Sequence, residues 1–105
     1  MKQFDLYVNT DKESSKAYPF FIDVQNDMLS SFNSRVVIPL APIAKHDKTY
    51  PARLCPVVQI AGKEYALLTQ QITNVSTNFL KKKESQLANY RNEIIAAIDF
   101  LITGI

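Results

Sequence analysis

With 105 residues, 47% of them hydrophobic and 21% charged, the chain has the make-up of one ordinary folded domain, which excludes a disordered tail. Its net charge of +2 is too small to imply a nucleic-acid partner, whose binding draws most of its affinity from neutralising phosphates. The one dense cationic run, Lys81-Lys82-Lys83, is followed at once by Glu84 and reads as a solvated turn ahead of a helix.

Phe4, Leu6 and Val8 alternate with Asp5 and Tyr7, the period of two that marks a half-buried strand over Gln3 to Val8. Asn9 to Lys16 is polar and charged, a solvated loop or wide hairpin connection. Tyr18 to Val24 is aromatic and β-branched and predicts a second strand, antiparallel to the first. Pro19 belongs at its start or on an edge, because proline donates no ladder hydrogen bond. Gln25 to Ser34 is turn-rich, with Asn26, Asp27, Ser30, Ser31 and Asn33. Arg35 to Ala41 predicts a third strand, in which Pro39 argues for an edge or a bulge, and Pro42 to Arg53 reads as a loop. Leu54 to Ile60 and Lys63 to Leu68 flank Ala61-Gly62, a hairpin turn where glycine supplies positive φ. Gln70 to Phe79, polar with Ile72, Val75 and Phe79 interspersed, reads as a short strand.

The period then changes. Leu87, Tyr90, Ile94, Ile98 and Leu101 recur at steps of three and four, lining one face of a helix that Ile95 and Ile102 widen. Arg91, Asn92, Glu93 and Asp99 keep the other side polar, and Gly104 is a natural stop. Five or more short strands followed by one C-terminal helix is the expected order.

Residues that carry chemistry are scarce. His46, the one histidine, sits between Lys45 and Asp47 in a hydrophilic loop with nothing nearby to orient it as a base. The one cysteine, Cys55, excludes an intrachain disulfide and reads as a buried structural thiol. No His and Cys spacing suits zinc, and Gly62 and Gly104 alone cannot build a phosphate-cradling loop, so no metal and no cofactor are expected. Asp23 and Asp27 are read as turn or cap residues. The N-terminus has no leader-like apolar block and no stretch reaches the roughly 20 apolar residues of a membrane span, so a soluble cytoplasmic protein without a membrane partner is expected. Phe100 to Ile105 is almost wholly apolar, and chain ends are polar unless something ties them down, which favours a subunit or partner interface there.

Several stretches resemble the CcdB toxins of ccd toxin–antitoxin systems. They are Gln3-Phe4-Asp5-Leu6-Tyr7, Phe21-Ile22-Asp23-Val24-Gln25-Asn26-Asp27, Arg35-Val36-Val37-Ile38-Pro39-Leu40, Cys55-Pro56-Val57-Val58, and the helix ending in Gly104-Ile105. None is specific alone, but their order and spacing hold along essentially the whole chain. The resemblance implies a mainly β fold: an SH3-like barrel of antiparallel strands with a small extra sheet and a C-terminal α-helix, in one domain over residues 1–105. It also implies a homodimer that binds the A subunit of DNA gyrase, traps the enzyme on cleaved DNA and is not itself an enzyme. A CcdA-like antitoxin would neutralise it, and operator DNA would be reached only indirectly, through that antitoxin.

Carried over by position, the gyrase-contact tail falls on Asp99, Ile102, Thr103, Gly104 and Ile105, and a second strip on Met28, Leu29 and Ser30. Antitoxin contacts fall on Glu13, Ser14 and Phe21. Plasmid-type toxins have a tryptophan directly before the terminal Gly-Ile, able to stack on a gyrase arginine; Thr103 stands there in this chain. Loss of a desolvated cation–π contact removes about 2 kcal/mol, roughly thirtyfold in affinity, which is the expectation for an attenuated, chromosomal-type homologue. Two other readings remain: an endoribonuclease toxin of the MazF/Kid type, using Arg53, His46 and Asp47, and an attenuated toxin that mainly binds antitoxin.

Overall fold

Alternation in the first strand, β1 (Asp5–Val8), puts Leu6 in the core, while Asp5 and Tyr7 are buried on the opposite face of the sheet. The computed structural model describes residues 1–43 and 50–104; His46 and Asp47, and with them part of the ribonuclease reading, lie outside the described residues, as does Ile105. Among the described residues the other strands are β2 (Phe20–Asp23), β3 (Ser34–Pro42), β4 (Val57–Ile60), β5 (Lys63–Leu67), β6 (Thr73–Ser76) and β7 (Lys83–Gln86), followed by one α-helix, α1 (Arg91–Thr103).

All pairings are antiparallel. The sheet runs β4-β5-β3-β2-β1-β7 and curls into a half-barrel, while β6 branches onto the first half of β3, continuous with the main sheet. The mainly β fold with a single C-terminal helix is thus as the sequence reading has it.

Pro39 corrects one expectation. β3 is central, not an edge: β2 lies on one side, and β6 and β5 share the other. The proline falls where that second neighbour changes, after Val37 has paired with Thr73 and before Leu40 pairs with Leu67. Its carbonyl accepts from the Leu68 N–H at 2.9 Å, and its missing N–H leaves no donor orphaned at the gap.

The triple lysine is a second correction. Lys83 opens β7, whose residues are all exposed and which pairs with β1 across a bulge between Leu6 and Tyr7. No alternation signals this strand, because its residues join β1 through the backbone ladder and through an ion pair between Lys83 Nζ and Asp5 Oδ1 at 3.2 Å rather than through a core face. Cys55, expected in a strand, sits in the turn before β4, where its N–H donates to the Pro51 carbonyl at 2.8 Å. It is buried as expected, and burial pushes its thiol pKa up. The Ala61-Gly62 hairpin has both residues at positive φ, +52° and +81°, the twist that two-residue hairpins favour.

The apolar stripe read as one helix begins in a 3₁₀ turn, Ala88–Tyr90, before α1 proper. This segment holds the two ends of the sheet together. Leu87 donates its N–H to the Phe4 carbonyl at 2.8 Å, and the Tyr90 hydroxyl accepts from the Gln59 N–H on β4 at 3.1 Å. Leu87 and Ile94 then enter the same core as Leu6, Ile22, Ile38 and Val58. Phe4, buried at φ +71°, is also held there by the Asp23 carbonyl, and the Arg91 guanidinium lies over its ring at 5.7 Å. Among the described residues no helix is long and apolar enough to cross a membrane.

Candidate functional site

On the outer face of the sheet the chain buries charge. Arg35 and Asp23, 1% and 0% exposed, form an ion pair with Nε to Oδ2 at 2.7 Å. The other Asp23 oxygen accepts the Gln25 N–H at 3.0 Å, so the turn role read from sequence is real but secondary to the pairing. Burial pushes the Asp23 carboxyl above its ordinary value, against the opposing pull of Arg35. Tyr7, beside Asp5 and Asp23, is pushed up to about 12, chiefly by burial and then by those two carboxylates.

This cluster fixes the turn that follows β2. The Arg35 Nη2 donates to the Gln25 carbonyl at 3.4 Å and lies 3.7 Å from the Asp27 carboxylate. Gln25 bridges in both directions: its amide donates to the Leu29 carbonyl at 3.0 Å and accepts from the Val36 N–H at 3.1 Å. Asp27 accepts the Gln3 N–H at 2.7 Å, and Asn26 caps the 3₁₀ turn Asp27–Leu29 by accepting from the Met28 N–H at 2.9 Å. Held this way, Met28 is 88% exposed and Leu29 45%, with Ser30 exposed beside them.

The second strip stands on the last turn of α1. Ile94 and Ala97 are buried, whereas Asp99, Ile102, Thr103 and Gly104 are exposed, Ile102 by 74%. Gly104 closes the helix at φ +74°, its N–H donating to the Phe100 carbonyl at 2.9 Å. The Thr103 hydroxyl donates to the Asp99 carbonyl at 2.7 Å. Arg53, a candidate in the ribonuclease reading, lies over the Phe100 ring at 4.5 Å. The tail residues and the Met28–Ser30 strip are therefore carried by different elements with different anchors.

Ser14 and Phe21 are brought together. They line a groove of about 190 Å³ with Asn9, Asp11, Val75 and Phe79, and Phe79 is 54% exposed. The polar rim is tightly bonded: Asn9 Nδ2 donates to the Ser14 hydroxyl at 2.9 Å, and that hydroxyl donates to Asp11 at 2.7 Å. This bond, more than any other, holds the Asp11 carboxyl below its ordinary value. Glu13 is exposed outside the lining, its N–H directed at Asp11 at 3.4 Å. Sequence reading missed Val75 and Phe79 as groove residues. The available signal was a large aromatic left in an otherwise polar stretch. Among the described residues no group of three or more His, Cys, Asp or Glu is placed to hold a metal ion.

A curled antiparallel half-barrel tied across by a C-terminal helix, with the Arg35–Asp23 pair buried and Met28, Leu29 and Ile102 exposed, defines a small β-rich domain of one architectural class. The family model described as CcdB protein matches residues 3–104. The chain belongs to the CcdB family, and that membership supports its being the toxin of a toxin–antitoxin pair.

Proposed function

We propose that this chain is a cytoplasmic, homodimeric, non-enzymatic toxin that binds the A subunit of DNA gyrase and traps the gyrase–cleaved DNA complex, blocking replication and transcription. The observation that carries the reading is the outward display of Met28, Leu29 and Ile102 at the two family contact positions. A large apolar side chain is a costly thing to leave in water, and interface energy concentrates in a few such anchors. Asp99, Thr103, Gly104 and Ile105 complete the tail contact, and Ser30 completes the strip. The buried polar cluster of Asp5, Tyr7, Asp23 and Arg35, with Arg35 and Asp23 paired, supports a structural role for these groups over acid–base work.

A CcdA-like antitoxin neutralises the toxin by docking at the groove that Ser14 and Phe21 share with Phe79, with Glu13 at its rim. Operator DNA is reached only through that antitoxin. Thr103, in the position of a stacking tryptophan, makes this an attenuated poison.

The test is supercoiled-plasmid cleavage by purified gyrase with ATP, comparing the full chain with a variant lacking Thr103, Gly104 and Ile105. Linear DNA is expected to accumulate only with the full chain. No cleavage by a folded, full-length dimer would sink the gyrase reading.

A further inference from the structure

Phe32 is a large aromatic at the surface of the domain. It is 57% exposed and belongs to none of the apolar clusters formed by the described residues. With Met28 and Leu29 it makes three exposed large apolar side chains within five positions. Single exposed apolar residues are ordinary, whereas a local group of them marks a contact surface.

The backbone beneath this group is pinned on both sides. The Phe32 N–H donates to the Leu29 carbonyl at 3.2 Å, and the next carbonyl, of Asn33, accepts from the Thr77 N–H at 3.0 Å. Leu29 is itself held by Gln25, and Gln25 by Arg35. A side chain presented from so fixed a segment loses little backbone entropy when it is buried by a partner. The chain has no tryptophan, and the other large aromatic exposed above half, Phe79, faces the separate groove with Phe21.

The charge around the patch decides the class of partner. From Gln25 to Ser34 the one charged residue is Asp27, a carboxylate beside the apolar side chains. That carboxylate already lies 3.7 Å from the buried Arg35 guanidinium, so the patch offers a phosphate backbone no free cation, whereas an apolar protein surface fits it. We propose that Phe32 is a third apolar anchor of the Met28–Leu29 strip and a specificity-determining contact for the A subunit of gyrase. This inference rests on the gyrase reading above and adds to it a residue that the family positions do not supply.

The test is the affinity of the purified A subunit for the wild-type protein, for Phe32→Ala and for Phe32→Tyr. Antitoxin affinity, melting temperature and sedimentation are followed alongside. Phe32→Ala is expected to weaken A-subunit binding by about tenfold or more, as loss of an aromatic anchor does. Phe32→Tyr stays within about twofold, and the other three measurements do not move, because Phe32 belongs to no core cluster. If Phe32→Ala lowers the melting temperature, Phe32→Gln, which keeps more of the side-chain volume, replaces it in the comparison. Wild-type binding with the alanine or glutamine variant within about twofold overturns the inference alone. Loss of the dimer in sedimentation overturns it in favour of contact with a second copy. Failure of the wild-type protein to bind the A subunit overturns the gyrase reading, and this inference with it.

Discussion

The two apolar strips reach the surface by opposite means. At the end of α1, regular helix hydrogen bonds continue out from a packed stripe, and the last turn is exposed because the stripe has left the core. The turn carrying Met28 and Leu29 has no buried residue of its own and no regular ladder. It is held by side chains: the Asp23–Arg35 pair, both arms of Gln25, and Asp27 on the Gln3 N–H. Apolar packing mounts one strip, and buried polar bonding mounts the other. The second kind is stiff only while every member is satisfied, since a half-paired buried network costs more than it returns. Arg35 already has one buried nitrogen, Nη1, with no hydrogen-bond partner in the described chain.

The largest effect expected from this contrast is at Arg35. Arg35→Ala leaves the Asp23 carboxyl buried without its cation and should cost about 3–5 kcal/mol in urea unfolding. Ile102→Ala, at the exposed helix end, should change stability by no more than about 0.5 kcal/mol. A loss below about 1 kcal/mol for Arg35→Ala would remove the distinction between the two mounts.

The next effect is on pH dependence, and it belongs to the polar mount alone. Burial raises Asp23 above the ordinary 3.8 despite Arg35. In the interval from 3.8 up to the raised value, the folded chain keeps a proton that the unfolded chain has released. Stability therefore falls as pH rises through that interval, and Asp23→Asn should flatten the slope. The same sign holds at the alkaline end, where Tyr7 titrates at about 12 against 10.0 for a free tyrosine. Stability falls as pH rises between those values, and Tyr7→Phe should abolish that share of the loss. Unfolding curves of wild type and both variants across these intervals check the two contributions; a variant that keeps the wild-type slope would contradict the stated cause.

A smaller effect than that at Arg35 belongs to Gly104. Its φ of +74° suits glycine, although a Cβ there would meet no atom within 4 Å. Gly104→Ala should cost about 1 kcal/mol of backbone strain at the helix end, with no packing penalty. A melting curve of the variant separates that from a larger loss, which would mean that the helix terminus is packed more tightly than its exposure implies.

Period and composition were sufficient for most of the elements. Alternation located β1, aromatic and β-branched runs located β2 and β3, and the change to steps of three and four located α1 with its glycine stop. These signals are local, because a strand or helix facing a core repeats its apolar residues at its own pitch. The strip Met28–Ser30 and the tail Ile102–Gly104 were also legible, through family resemblance, and their exposure accords with a contact role without testing it.

Tertiary structure alone decided the rest. β7 has no apolar pattern, since its exposed residues join the sheet through the backbone and the Lys83–Asp5 ion pair, and Pro39 became tolerable in a central strand only because two neighbours meet beside it. Asp23 and Arg35 lie twelve positions apart, and Gln3 and Asp27 twenty-four, so no window along the chain shows that they bond. Phe79 joined Phe21 in one groove by the same route, through the packing of distant segments. Side-chain period is a property of a segment, whereas pairing, burial of charge and the making of a groove are properties of segments brought together.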